Sequence, residues 1–467
     1  MANTVDPRRA WEPYTPDAAN PWDLKKVGHT YRRAAFGATH AELQAGLKLG
    51  PQGLIDHLLK GGAPSPAYDA ATEQFLSGAA KKFNDGAQAS AWWLYRMLHG
   101  GHPLREKLTL FWHNHFATSN AKVQNAGYMV GQYELMHRHA LGSFAELLQG
   151  MSKDPAMMVW LDTVQSKKGM PNENYSRELM ELFSLGIGNY TEKDIREAAR
   201  ALTGWEIQNG RFFNNTKEFD SSSKTVLGRT GNWKGEDIVR ICLDQKACSR
   251  FIVRKLYRFL ISEADNPSAE LIDPLADRFA KGYDFGQLVE TMLRSNLFFS
   301  EQAYRARIKA PVDYVLGMAR ALEARMGTNN GTVNLTTALE TLGQNVFHPP
   351  SVKGWDGGQT WLNGQTLLFR QNFALDMARR PAGYQKPAAA FALAQTHNKS
   401  GADLAGFFLD LFLQGDVPAE TRQRVTDYAR ASSKQKLPSY WTEQDVAEHR
   451  VVSLCHLVMT LPEYQLD

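Results

Sequence analysis

The stretch Trp92-Trp-Leu-Tyr-Arg-Met-Leu-His-Gly-Gly-His-Pro103-Leu-Arg-Glu-Lys-Leu-Thr-Leu-Phe-Trp-His-Asn-His115 reads as helix, turn, helix. Trp92, Leu94, Tyr95 and Leu98 recur at helical spacing, two glycines interrupt them, and Pro103 suits a first turn, where its missing N–H breaks no bond. On a wheel of about 100° per residue, Leu104, Leu108, Phe111 and His115 share one stripe, with His113 on the other side. The spacing therefore places His115 on the core face and His113 at the surface. Working outward, Thr39 and Glu42 form a capping box, Gly50-Pro51 stops that helix, and a second runs to Lys60. Helical periodicity continues over Tyr133–Leu148, Asn174–Leu185, Ile195–Leu202, Glu236–Ser262, Leu271–Leu293 and Pro311–Met326, and Thr191 to Asp194 reads as an N-cap with an acidic first turn. One segment departs from it: Asn209-Gly210 stands between short runs carrying Ile207, Phe212 and Phe213, the signal of a two-residue hairpin turn. The fold class is all-α, a large irregular multi-helix body with a minor β-hairpin near 205–214.

With 467 residues the chain is two to three times the commonest domain length. Residues 1–22, rich in Pro, Asp and Asn, read as an extended arm. A helical lobe over 23–235 and a second over 236–467 are expected to form one compact unit. A polar linker is expected over 327–336, a loop dense in Gly, Pro and Trp over 347–364, and a break at 380–386. Hydrophobic content of 43% with 22% charged residues is ordinary for a globular chain, and a formal charge of +4 without long basic runs gives no sign of a nucleic-acid partner. Cys242, Cys248 and Cys455 fit no zinc spacing and read as small core residues. No signal peptide follows Arg8 and Arg9, and no apolar run is long enough to span a membrane. The compartment stays open between the cytoplasm and export by carriage with a partner.

Four blocks carry a likeness. Tyr31-Arg-Arg-Ala-Ala-Phe-Gly-Ala, Arg105-Glu-Lys-Leu-Thr-Leu-Phe-Trp-His-Asn-His-Phe-Ala-Thr-Ser, Asn172-Glu-Asn-Tyr-Ser-Arg-Glu-Leu-Met-Glu-Leu-Phe and Glu197-Ala-Ala-Arg-Ala-Leu-Thr-Gly-Trp resemble, in order, the signature blocks of domain-of-unknown-function family 1800. With the 347–361 loop and the terminal Leu461-Pro-Glu-Tyr-Gln the resemblance spans nearly the whole chain. It implies a bacterial origin and a gene neighbour of family 1501, which is phosphatase- or sulfatase-like. It implies no mechanism.

The chemistry must come from the residues. Asn174, Arg177, Glu178 and Glu181 stand at i, i+3, i+4 and i+7, so one helix face presents an amide, a guanidinium and two carboxylates. Exposed, this is a salt-bridged surface; facing a cleft, it is raw material for general acid and base catalysis. Arg196, Arg200 and Asp162 could complete either arrangement. His348, Trp355, Trp361 and Arg370 make a candidate pocket wall, although tryptophans in a glycine-rich loop also serve to pin it. Glu134 and His137 resemble half of a dimetal motif whose second half is missing. No phosphate loop, dinucleotide fingerprint, zincin motif or nucleophile elbow occurs, and no cofactor is evident, with a divalent metal left open. Three readings follow. The first is a carboxylate-dependent hydrolase acting on a carbohydrate or polyol-containing substrate, with Glu178, Glu181, His115 and Asp162 catalytic and Asn174, Arg177, Arg200, His348, Trp355, Trp361 and Arg370 binding. The second is a non-catalytic helical partner of the family 1501 protein. The third is a metal-binding helical protein using His115, His137 or His139.

Overall fold

The computed structural model describes residues 5–64, 66–75, 86–324, 331–379, 401–434, 436 and 438–467. Helices build the body, and β structure among the described residues amounts to two antiparallel strand pairs. The first is the expected hairpin: Trp205–Gln208 pairs with Arg211–Asn214, Trp205 facing Asn214. Its turn residues Asn209 and Gly210 hold φ of 53° and 75°, the backbone a two-residue turn demands. The second pair, Lys224–Val226 with Arg229–Gly231, has no counterpart in the sequence reading. Its turn places Leu227 at φ 49°, where leucine is unfavourable, and the Leu227 N–H donates to the Asp194 carboxylate at 2.7 Å. A tertiary contact therefore helps to hold a turn that local sequence does not encode.

Helix ends follow their caps. The Thr39 hydroxyl accepts from Glu42 N at 3.1 Å while the Glu42 carboxylate accepts from Thr39 N at 2.7 Å. The His40–Lys60 helix is broken at Gly50, whose φ is 71°. Thr191 and Asp194 reciprocate in the same way at the start of the Glu192–Ala201 helix. The expected linker over 327–336 is corrected from 331 onward: Gly331–Thr341 is helical. Leu335, Ala338, Leu339 and Leu342 bury one apolar face there, enough to outweigh the polar residues before them. Residues 327–330 of that linker, and the break at 380–386, lie outside the described residues.

One contiguous apolar core runs from Ala10 to Tyr464. Trp11 Nε1 donates to Leu271 O at 2.8 Å and Tyr14 N to Arg294 O at 2.8 Å, so residues 10–14 lie against the second half of the chain. No helix among the described residues is long and apolar enough to cross a membrane. The three cysteines are buried and unpaired.

At the centre stands the Pro103–His115 helix, with ten of its thirteen residues buried. The surface position expected for His113 is corrected: its ring is fully buried and its Nε2 accepts the Phe347 N–H at 3.0 Å. The one-sided wheel failed because a helix covered on every side has no solvent face to find. Elsewhere a helix keeps a costly residue: Gly131 lies inside the Ala126–Arg138 helix, and a Cβ added there meets nothing within 4 Å. Gly131→Ala should therefore raise the unfolding free energy by about 1 kcal/mol, read from urea midpoints. An unchanged or lower midpoint would mean that a neighbour closes on that space.

Candidate functional site

The residues singled out from sequence divide into two groups. The first lies on the segment after Asn172. Asn174–Glu178 is α-helical, but Leu179–Ser184 widens into a π-helix, with Leu185 N reaching back five residues to Met180 O at 2.9 Å. The Ser184 hydroxyl takes Leu179 O at 2.5 Å. This register change splits the expected in-line stripe, and Asn174, Arg177 and Glu181 each turn to a separate neighbour. Arg177 forks Glu192 at 2.8 and 2.7 Å. Asn174 Nδ2 lies 3.5 Å from Asp162, which Lys122 holds at 2.8 Å. Arg200 ties Asp220 at 2.8 Å and Glu197 at 2.9 Å, fastening its helix to the 220–225 segment, while Arg196 is exposed.

The two carboxylates differ. Glu181 accepts the Tyr190 hydroxyl at 2.5 Å, and burial together with Glu181 raises the Tyr190 phenol, which keeps it a donor. Glu178 is half-buried, and its carboxylate has no hydrogen bond or ion pair among the described residues. Burial first, and then the charge of Glu181, push it above the usual glutamate range.

His115 stands behind the π-helix and is buried. Its Nε2 lies 3.1 Å from Phe183 O, so this nitrogen carries the proton and Nδ1 accepts from Lys255 Nζ at 3.0 Å. Lys255 also donates to Leu182 O at 3.2 Å. Both side chains thus take carbonyls freed at the end of a helix, where its dipole favours a cation. Burial, aided by Lys255, drives His115 far down, and burial pulls Lys255 to about 7, with no carboxylate among the described residues within 4.0 Å of it. Sequence reasoning missed Lys255. It borders the apolar face of the Lys246–Leu260 helix, a place where lysines ordinarily reach into water.

The Lys255 shift carries a sign. Its folded value of about 7 lies below the unfolded value of about 10.4, so between them the unfolded chain binds the extra proton. This residue makes stability rise with pH across that window. Lys255→Met should remove that part of the rise, visible as a flatter curve of urea midpoint against pH than the wild type gives. Parallel curves would mean the ammonium is solvated.

The second group lies around the 347–364 loop. Trp355 N donates to Asn114 Oδ1 at 2.7 Å, and the Trp355 ring is 5.6 Å from that of His113. Gly354, at φ 84°, sits so close to Asn114 that a Cβ would fall 2.3 Å from its Oδ1. His348 Nδ1 contacts Val346 O at 3.2 Å, and Trp361 is buried beside Trp355 and Ala310. Arg370 is buried, donating to Lys309 O at 2.9 Å and Gln465 at 3.1 Å with its guanidinium 4.6 Å from the Tyr314 ring. No hydrogen bond of this group reaches the 174–181 segment. The loop is pinned to the central helix. His137 lies 3.4 Å from Glu106 and His139 3.6 Å from Glu146, Glu134 is exposed, and the described residues contain no cluster of three or more His, Cys, Asp or Glu suited to a metal.

A family model described as a protein of unknown function, DUF1800, matches residues 29–466. The chain belongs to the DUF1800 family. No curated protein and no solved structure matches it. Within the DUF1800 span, the block beginning at Arg105 sends its polar residues to several distant elements. Glu106 meets Tyr133, Lys107 meets Asp313, His113 meets Phe347, Asn114 meets Trp355 and His115 meets Lys255. One helix thus anchors four separate parts of the fold, the 347–364 loop twice.

Proposed function

We propose that this protein is a carboxylate-dependent hydrolase acting on a carbohydrate or other polyol-containing substrate, with Glu178 as general acid and Glu181 as general base. The observation that carries the reading is the asymmetry of the pair. Glu178 is half-buried, raised and without a partner, while three residues on Glu181 is held by the Tyr190 hydroxyl. Two nearby carboxylates in unlike surroundings are what acid and base roles require. Glu178 would give its proton to the leaving oxygen, and Glu181 would take one from the attacking water. Asn174 and Asp162 offer amide and carboxylate groups of the kind that bind sugar hydroxyls. Arg177 and Lys255 act through the segment, the first by fixing it to Glu192 and the second by capping its carbonyls.

The test is a panel of nitrophenyl glycosides with wild type, Glu178→Gln and Glu181→Gln. Turnover of one substrate should fall by about 10²–10⁴ in Glu178→Gln, with an unchanged melting temperature because that carboxylate has no partner to lose. A panel with no turnover, or a Glu178→Gln enzyme at full rate, overturns the reading.

A further inference from the structure

A cavity of about 30 Å³ lies between the Leu24–Ala34, Pro311–Ala321 and Gly401–Leu413 helices, near the last residues of the sequence. Its wall includes Arg32, Lys309, Asp313, Gln414, Tyr464 and Asp467. Arg32 is more than nine-tenths buried and gives one guanidinium nitrogen to Gln414, while Nε and Nη2 have no hydrogen-bond partner among the described residues. Lys309 is equally buried. Its ammonium makes no hydrogen bond or ion pair among the described residues and rests 3.5 Å above the Tyr464 ring. Behind them, Arg33 gives Nη2 to the main-chain oxygens of Ala303 and Asp467 at 2.7 and 3.3 Å and leaves Nε and Nη1 unpartnered. Arg370 reaches only neutral oxygens.

The charges around this cavity do not balance. Arg32, Arg33, Lys107, Lys309 and Arg370 are cations, each less than a tenth exposed, against three carboxylate groups, the side chains of Asp313 and Asp467 and the main-chain carboxylate of Asp467 at Arg33. Asp313 is already taken by Lys107 at 2.5 Å, and the Asp467 side chain has no ion pair within 4.0 Å among the described residues, while its main-chain oxygen lies 3.3 Å from Arg33 Nη2. An uncompensated buried charge costs several kcal/mol. Water in the cavity could meet the orphaned N–H groups but would leave the charge standing.

We propose that this cavity is a binding site for a small monovalent anion, of halide to carboxylate size, held between Arg32 and Lys309. A volume of about 30 Å³ has room for one or two water-sized bodies, which excludes sugar phosphates and nucleotides. Burial pulls the Lys309 ammonium to about 7 against the opposing pull of Asp467, and a resident anion restores the charged form. The site shares no residue with the Glu178 pair and stands or falls apart from the hydrolase reading.

The experiment compares thermal unfolding in sodium chloride, bromide and formate with sodium gluconate at equal ionic strength, gluconate being too bulky for the cavity. General salt effects favour gluconate, the more strongly excluded anion. A melting temperature higher in the small anions, rising with the logarithm of their concentration, is therefore the expected result. Above the dissociation constant each tenfold increase adds about 1.4 kcal/mol. Lys309→Met should erase this dependence. Should that variant not fold, a bromide-soaked crystal of the wild type gives an independent reading, an anomalous peak within hydrogen-bond reach of Arg32 and Lys309. Equal or higher melting in gluconate, or bromide peaks only on the outer surface, overturns the proposal.

Discussion

Asp313→Ala should lower the unfolding free energy by about 3–5 kcal/mol, the loss typical of removing one partner from a buried ion pair. Lys107 is fully buried on the central helix, and its ammonium meets Asp313 at 2.5 Å and Arg32 O at 3.3 Å. Without Asp313 the ammonium keeps one carbonyl, and the buried cations Arg32, Arg33 and Lys309 have one fewer carboxylate to offset them. Burial pushes Asp313 upward against the pull of Lys107, so the pair persists as a compromise between desolvation and attraction. The double replacement Lys107→Met with Asp313→Leu should recover most of the loss, because an apolar pair of similar volume avoids both desolvation terms. Denaturant titrations of the three variants check this. A loss below about 1 kcal/mol for Asp313→Ala would indicate a solvated pair instead.

What the sequence made legible was local. Asn209-Gly210 requires positive φ twice, and the hairpin stands where those two residues put it. Thr39 with Glu42, Thr191 with Asp194, and Pro103 and Pro311 at first turns mark helix starts because each acts on backbone groups within four residues of itself. What stayed illegible depended on distant partners. His113 read as surface because Phe347, more than two hundred residues away, could not be seen taking its nitrogen. The π-helix at Leu179–Ser184 read as plain helix, since its register is settled by Lys255 and His115 gathering the carbonyls of Leu182 and Phe183. In the candidate site the pair Glu178 and Glu181 was visible from spacing, but the asymmetry between them comes from Tyr190 and from burial. The four residues His348, Trp355, Trp361 and Arg370 were grouped by composition. Composition does not say which wall a loop covers.

Glu106→Gln should cost a comparable 3–5 kcal/mol and should also alter the acid side of the stability curve. The Glu106 carboxylate is buried and surrounded by donors: Trp93 Nε1 at 3.1 Å, Arg96 Nε at 3.2 Å, the Tyr133 hydroxyl at 2.8 Å and His137 Nε2 at 3.4 Å. An amide in its place offers one acceptor oxygen and turns an NH₂ toward groups that already donate, leaving at least one buried donor unpaired. Burial alone would raise Glu106, yet the hydrogen bond from His137 and the charge of Arg96 outweigh it and hold the carboxyl below its ordinary value. For a depressed carboxylate the sign is fixed: its contribution is complete above the unfolded value of about 4.3 and disappears as pH falls through the folded value. Wild type should therefore lose stability faster than Glu106→Gln on acidification, and the gap between their urea midpoints should narrow below about pH 4. A gap that stays constant down to acid unfolding would mean that Glu106 is already protonated in the folded protein. The ties to Trp93, Arg96 and Tyr133 would then have to be explained as bonds to a neutral acid.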